Sequence, residues 1–514
     1  MGRLQSDYRA FNAALGSLYE NDLLELADAT DKPDFDDTAF FDAAGMVYNA
    51  GGFDASQLNT PEARRLIAET LRQIKRGIDS GVPHEVPKVV RHALENNAFI
   101  FSGFKAFHTL REVGLSLLTD KGDIKPFEAF RKDVETVNNR YNHNYLYAEY
   151  NHAVGASLMA SCWQQIEADG DRYDLQYRTA QDDHVREDHA ILHGTTLPPS
   201  DPFWSLYLPP NGWNCRCTAV QVRKGKYPQS DPALSMLRGN NCTENAKQQI
   251  FRFNPGKDLQ LFPPKHPYYK APEAAKQVIE QMSEEQKREQ RIAEIIAELP
   301  GTLTEAEKKP IAEHCLKIEK ALGITKGKPM SVDDADKQHA NPNYGKERGY
   351  GINCQTCSPA YALRLMGFNV TAKSNTPGTK LEYLSRGNQL WEQWLNLDGT
   401  PATHTSINDW MAGKKYQRMT PKRYEEFFNE ICKDPGVYML SIGWKRGGGH
   451  ATILQRFADG SLRYIEPQVD NSKGTGRNLE NLSKNGAATM HGCRGIMRVD
   501  NKLFNIAFAE IFDK

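Results

Sequence analysis

Nine consecutive polar residues, SEEQKREQR at 283–291, interrupt a helical pattern that otherwise runs from Ala271 to Leu299. A helix that is polar on every face has no apolar stripe to bury and suits a solvated spacer. The pattern stops before Pro300, which cannot continue a helix. The chain on either side must therefore close its own core. With 514 residues, against about 100–200 for a usual domain, the sequence reads as multi-domain.

Composition removes several function classes. Lys+Arg total 64 and Asp+Glu 65, a net charge of −1, so no basic excess grips nucleic acid as a whole, although a local basic face stays open. No run reaches the roughly 18 apolar residues of a membrane span. The first residues, MGRLQSDYRAFNAALGSLYENDLLELADATDKPDF, contain no stretch fit for a signal peptide. The expectation is a protein made in the cytoplasm with no membrane partner. Nine Cys, an odd number spread along the chain, do not form a disulfide framework, and a reduced compartment is expected. Two close pairs stand out, Cys215/Cys217 and Cys354/Cys357.

Four segments follow. Residues 1–59 are mixed and read as an N-terminal extension. From Thr60 the pattern is helical: PEARRLIAETLRQIKRGIDSG has Thr60 as N-cap, Pro61 at the first helical position and Gly81 as its stop. A second helix covers much of 87–118, and 127–170 reads as a long helix or helical hairpin punctuated by RYNHN. From Tyr173 short β-like runs, YRTA and TAVQV, flank a compact loop-rich module, so 60–224 forms one domain. Residues 225–304 read as a Pro-rich extension and helical linker. Residues 305–514 alternate: the helix candidate NCQTCSPAYALRLMG, the strand FNVTA, a helix opened by Thr420 and Pro421, then the strands GVYMLSIGW, HATILQRF and LRYIEPQ. The fold class is a mainly α-helical N-terminal half with a small α+β module, followed by an α+β C-terminal domain.

The module at 182–217 gathers Asp182, Asp183, His184, Asp188, His189, His193, Cys215 and Cys217. Such density suits zinc, but C-x-C is a less common spacing than C-x₂₋₄-C and no second clean pair exists, so no metal is expected. The stretch RTAQDDHVREDHAILHGTTLPPSDPFWSLYLPPNGWNCRC resembles the head morphogenesis proteins related to phage Mu protein F and the SPP1 minor head protein. Arg178, Asp182, Gly194 and Asn214-Cys215-Arg216-Cys217 carry the resemblance, with KPFEAFRKD and NYLYAEYNHAVGASLMASCW upstream. Some relatives have CxxC where this chain has Arg186 and His189. The resemblance implies a minor head protein of a phage virion, with portal and capsid proteins, and packaged DNA, as partners.

The C-terminal segment carries a different chemistry. A thiol hydrolase needs a Cys at a helix N-terminus, where the positive dipole end favours thiolate, a His on a neighbouring strand, and a polar group to orient that His. Cys354 and Cys357 are the candidate nucleophiles. Pro359 is tolerated only in a first turn, which favours a helix start near Thr356 and hence Cys357. His450 follows three glycines and opens an apolar strand. Glu466 stands sixteen residues later on the next strand, with Gln468 as the alternative orienting group. Helix-terminal N–H groups, with Asn353 or Gln355, would hold the oxyanion. A metal held by Cys354, Cys357, His450 and Cys493 is the competing arrangement.

The Asn-Cys, Gly-His and acid-Pro-Gln elements resemble the papain-fold toxin domains of polymorphic toxin systems. There the residue before the nucleophile is Asn or Asp, which favours Cys354, and the acid is Asp where this chain has Glu466. The resemblance implies a papain-like domain acting as a cysteine protease or glutamine deamidase, with a protein substrate in a target bacterium and an immunity protein as partners. It implies no cofactor.

Overall fold

The computed structural model describes residues 2–19, 32–82, 86–119, 123–444, 448–469, 486–487 and 494–513. It divides into two compact units, Met1–Lys287 and Arg288–Lys514, and the division falls within the polar run at 283–291. The chain is multi-domain and mainly helical, with small sheets.

In the first unit the helices Asp37–Ala50, Pro61–Gly81, Lys88–Leu115 and Leu146–Asp169 enclose a core that includes Phe40, Val47, Leu66, Ile74, Leu94, Phe101 and Leu110. The helix Pro61–Gly81 is capped as the sequence demands, with Thr60 accepting from the Ala63 N–H and Pro61 in the first turn. Gly81 does more than end it. A Cβ there would stand 2.3 Å from the Val154 carbonyl oxygen, and one at Gly77 would stand 2.9 Å from that of Tyr150. The two glycines let the helix Leu146–Asp169 cross at backbone contact. Residues 37–50 and 250–268 do not extend from this domain: Phe40, Ala43, Phe251, Leu261, Phe262 and Tyr268 are buried in the same core.

The RYNHN punctuation produces neither a break nor a hairpin. Residues Asn139–Tyr145 form a seven-residue π-helical turn that joins Phe127–Asn138 to Leu146–Asp169. Asp37 anchors it, accepting from Asn138 Nδ2 at 2.7 Å and His143 Nε2 at 2.8 Å. Deeper in the core Lys105 and Glu149 form a fully buried ion pair, and the Tyr19 hydroxyl donates to Glu149 Oε1 at 2.9 Å. Burial disfavours charge on both partners, raising the Glu149 pKa and lowering that of Lys105.

The loop-rich module is a three-stranded antiparallel sheet in the order Thr196–Leu197, Tyr173–Arg178, Thr218–Arg223. Its first strand starts four residues earlier than YRTA suggests. Tyr173 pairs with Arg223 and Arg178 with Thr218, so residues 179–217 leave and re-enter at one end of the sheet. Its separate small core includes Trp163, Leu175, Tyr177, Leu192, Phe203, Trp204 and Cys217.

The second unit is built on an antiparallel sheet in the order Thr405–Ser406, Gly495–Arg498, Gly436–Trp444, Gly449–Arg456, Leu462–Ile465, with Gly486–Ala487 also pairing to Gly436–Trp444. Both faces are covered. Met439, Ile453, Ile465 and Met497 pack with the helix Cys354–Leu365 on one side. Tyr438, Leu440, Leu454 and Ile496 pack with Trp410, Tyr424, Phe427 and Phe428 on the other. A strand buried on both faces reads as a continuous apolar run, as GVYMLSIGW does. Of FNVTA only Thr371–Ala372 is strand, and it pairs with Phe512–Asp513.

Candidate functional site

The helix Cys354–Leu365 begins at Cys354, with Asn353 as its N-cap residue. Cys354 is half-buried and lies in the first turn. Its start is earlier than Pro359 suggests, because the lost Pro359 N–H leaves the Gln355 carbonyl free and the Gln393 side chain donates to that oxygen at 3.0 Å. Cys357, one turn on, is fully buried among the core residues beneath the sheet. Burial and the neighbouring Cys354 push its thiol well above the usual value. It is a packing side chain.

His450 lies on the strand Gly449–Arg456 opposite Ile442. The register Ile453↔Ile465, carried one position further, sets residue 466 opposite 452 and so diagonally across from 450, on the same face. His450 Nε2 is 2.8 Å from Glu466 Oε2, and both side chains are buried. The Tyr464 hydroxyl donates to the same oxygen at 2.8 Å, and the Gln468 N–H to the other at 3.2 Å. Glu466 thus accepts from His450, Tyr464 and Gln468, and its longer arm reaches the imidazole where the toxin domains this segment resembles have Asp. The Trp444 ring stacks on His450 with centroids 5.7 Å apart.

Burial opposes charge on both Cys354 and His450, yet the two stabilise each other. The hydrogen bond and charge of His450, with the Ala451 N–H, outweigh burial and bring the Cys354 thiol below its ordinary value. Against the same penalty, Cys354 and Glu466 push His450 up to about 9. With Nε2 given to Glu466, Nδ1 is the nitrogen left for the sulfur. Each shift favours the charged form of its group, thiolate at Cys354 and imidazolium at His450.

The pair opens on a cleft of about 300 Å³ lined in part by Cys354, Gln355, Ser441, Trp444, His450, Gln468 and Arg494. Arg494 Nη1 donates to Ser441 Oγ at 3.0 Å. Asn353 does not line this cleft. It is buried, its amide donating to Asn341 Oδ1 and the Lys373 carbonyl, and it accepts from Gln468 Nε2 at 3.4 Å. It joins the helix start to the strand end that bears Gln468, and so positions the site. Gln355 donates to the Leu381 carbonyl at 3.0 Å. The N–H groups of Cys354 and Gln355, at the very start of the helix, have no intrahelical acceptor. Of the glycine run before His450, Gly448 and Gly449 are described, and Gly447 lies outside the described residues, as does Cys493.

In the first unit the residues that carry the head-protein resemblance have structural work. Asp182 accepts two bonds from Arg216, Gly194 adopts φ +79°, and Asn214 adopts φ +58°. His184 is exposed, its N–H bonded to Asp182 Oδ1, whereas His189, Cys215 and Cys217 converge. Spacing along the chain does not reveal this convergence, because ligand atoms from distant parts of one loop meet only after folding. Among the described residues no helix is long and apolar enough to cross a membrane.

No solved structure matches the chain. A curated relative, putative capsid assembly protein F of Escherichia phage Mu, is 28% identical over 196 residues, 38% of this chain and 41% of the relative. The chain thus covers less than half of that protein's length. Residues 125–220 match the family model described as Phage Mu protein F like protein, and this part of the chain is a domain similar to phage Mu protein F.

Proposed function

We propose that this chain is a phage head-assembly protein whose first unit docks with portal or capsid proteins and whose second unit is a cysteine-dependent amidohydrolase. The similarity at 125–220 supports the first half. The observation that carries the second is the line Cys354, His450, Glu466 at a helix start beside a cleft.

The Cys354 thiolate adds to the carbonyl carbon of a glutamine side-chain amide, and helix N–H groups stabilise the oxyanion. His450, already imidazolium, gives its proton to the amide nitrogen, and ammonia leaves. Water, deprotonated by His450, attacks the thioester and releases a carboxylate and the thiol. Glu466 holds the ring and balances its charge throughout. With a peptide bond in the cleft the same steps are proteolysis. Delivered with the virion, such an enzyme acts as a toxin on a protein of the target bacterium, and an immunity protein covers the cleft in the producer.

A second reading is favoured by where the similarity lies. The family match ends at residue 220, so the assembly role stands without catalysis, and the second unit is then a binding domain. Expression of the full chain in a bacterial host, beside Cys354→Ala and His450→Ala, separates the two. Growth arrest and glutamine-to-glutamate conversion in host proteins, both lost in either variant, support the amidohydrolase. Cleaved capsid proteins in place of deamidation assign it to maturation. Equal growth and unmodified proteins with all three soluble chains leave the assembly role alone.

A further inference from the structure

We propose that His189, Cys215 and Cys217 bind one zinc ion that staples the loop-rich module. His189 Nδ1 lies 3.5 Å from Cys215 Sγ and 3.7 Å from Cys217 Sγ, and the three ligand atoms all fall within 4.8 Å of one another. Tetrahedral zinc, with Zn–S about 2.3 Å and Zn–N about 2.0–2.1 Å, sets sulfur and nitrogen roughly 3.6 Å apart. The observed separations match that edge.

The local chain explains the convergence. Asn214 at φ +58° turns the backbone into 215–217, just before the strand Thr218–Arg223. In extended chain residues i and i+2 share a face, so both sulfurs meet His189 while Arg216 between them turns away to Asp182. His189 is brought from the short helix Glu187–Ala190. Its Nε2 is buried with no hydrogen-bond partner among the described residues, so the Nδ1 side fixes the ring.

Charge and architecture agree. Two thiolates neutralise a divalent cation, so the buried site carries no net charge once both thiol protons are released. Residues 179–217 span a single sheet end over a small core, the setting in which a structural metal adds most to stability. No fourth Cys, His or acid among the described residues joins the group, so the fourth position of the tetrahedron is left to a solvent ligand when zinc is bound.

The test uses the full chain, expressed with zinc and purified without chelator. Metal analysis should give about one zinc per chain, kept in Cys354→Ala and lost in Cys215→Ser and Cys217→Ser. Because those variants can fail to fold, the wild-type chain stripped of metal is also titrated with Co²⁺. A saturable thiolate-to-cobalt charge-transfer band in the near ultraviolet, bleached by Zn²⁺, supports the site. A wild-type chain without zinc and without that band, or isolated with a Cys215–Cys217 disulfide, overturns it.

Discussion

Replacing Glu466 by Gln keeps the size of the side chain and removes the charge 2.8 Å from His450 Nε2. An imidazolium bonded to carboxylate is worth about 1.5–3 kcal/mol, against about 0.5–1.5 kcal/mol for a neutral bond. The difference, about 1–2 kcal/mol, is roughly one pKa unit at 1.36 kcal/mol each. His450, held at about 9 in the wild type, should then deprotonate about one unit lower, and the Cys354 thiol should rise in step. The assay is the pH dependence of Cys354 alkylation by iodoacetamide, read by peptide mass spectrometry, with Cys357 on the same peptide as internal control. Stability follows the same sign. The folded pKa of His450 lies above the unfolded value of about 6.5, so its contribution is complete below that pH and is lost as pH rises through about 9. The depressed Cys354 thiol contributes with the opposite sign, so the two offset where their windows overlap, and the alkylation profile, not the thermal midpoint, separates wild type from Glu466→Gln. Identical pH profiles for the two chains, or Cys357 labelled first, would refute the ion-pair argument.

Three further outcomes follow from the packing. Cys357→Ala should leave the alkylation of Cys354 unchanged and lower stability by about 1–2 kcal/mol through a small cavity, measured by urea unfolding. Gly81→Ala should destabilise the first unit by about 1–3 kcal/mol, since its Cβ meets the Val154 carbonyl and its neighbour Ser157, and a thermal midpoint equal to wild type would contradict the crossing described. Lys105→Met should cost about 3–5 kcal/mol at neutral pH by leaving Glu149 buried and unpaired. The loss should shrink as pH falls and Glu149 takes a proton, and a loss that is flat with pH would count against the pairing.

Local signals announced much of this fold. Thr60-Pro61 and Thr420-Pro421 begin helices where their chemistry says they should, and the apolar run 436–444 is the strand buried on both faces. The misreadings share one physical cause, a partner distant in sequence. Pro359 argued for a late helix start, but Gln393 caps the carbonyl that proline frees. RYNHN looked like a break, yet Asp37 holds it as a π turn. Asn353 was expected at the oxyanion, and Asn341, Lys373 and Gln468 claim its amide instead. The order of Cys354, His450 and Glu466 was readable because strand periodicity and hairpin length are local properties. The meeting of His189 with Cys215 and Cys217 was not, since it depends on where a long loop returns.

The strand Gly495–Arg498 sits inside the main sheet beside Gly436–Trp444, and Phe512–Asp513 pairs with Thr371–Ala372 just beyond the Cys354 helix. The sheet that presents His450 therefore lacks an interior strand until the last part of the chain has been made. At roughly 5–20 residues per second, the about 160 residues after Cys354 take about 8–32 s to leave the ribosome. The closure of this sheet around its interior strand is thus a late event in synthesis, set by strand order.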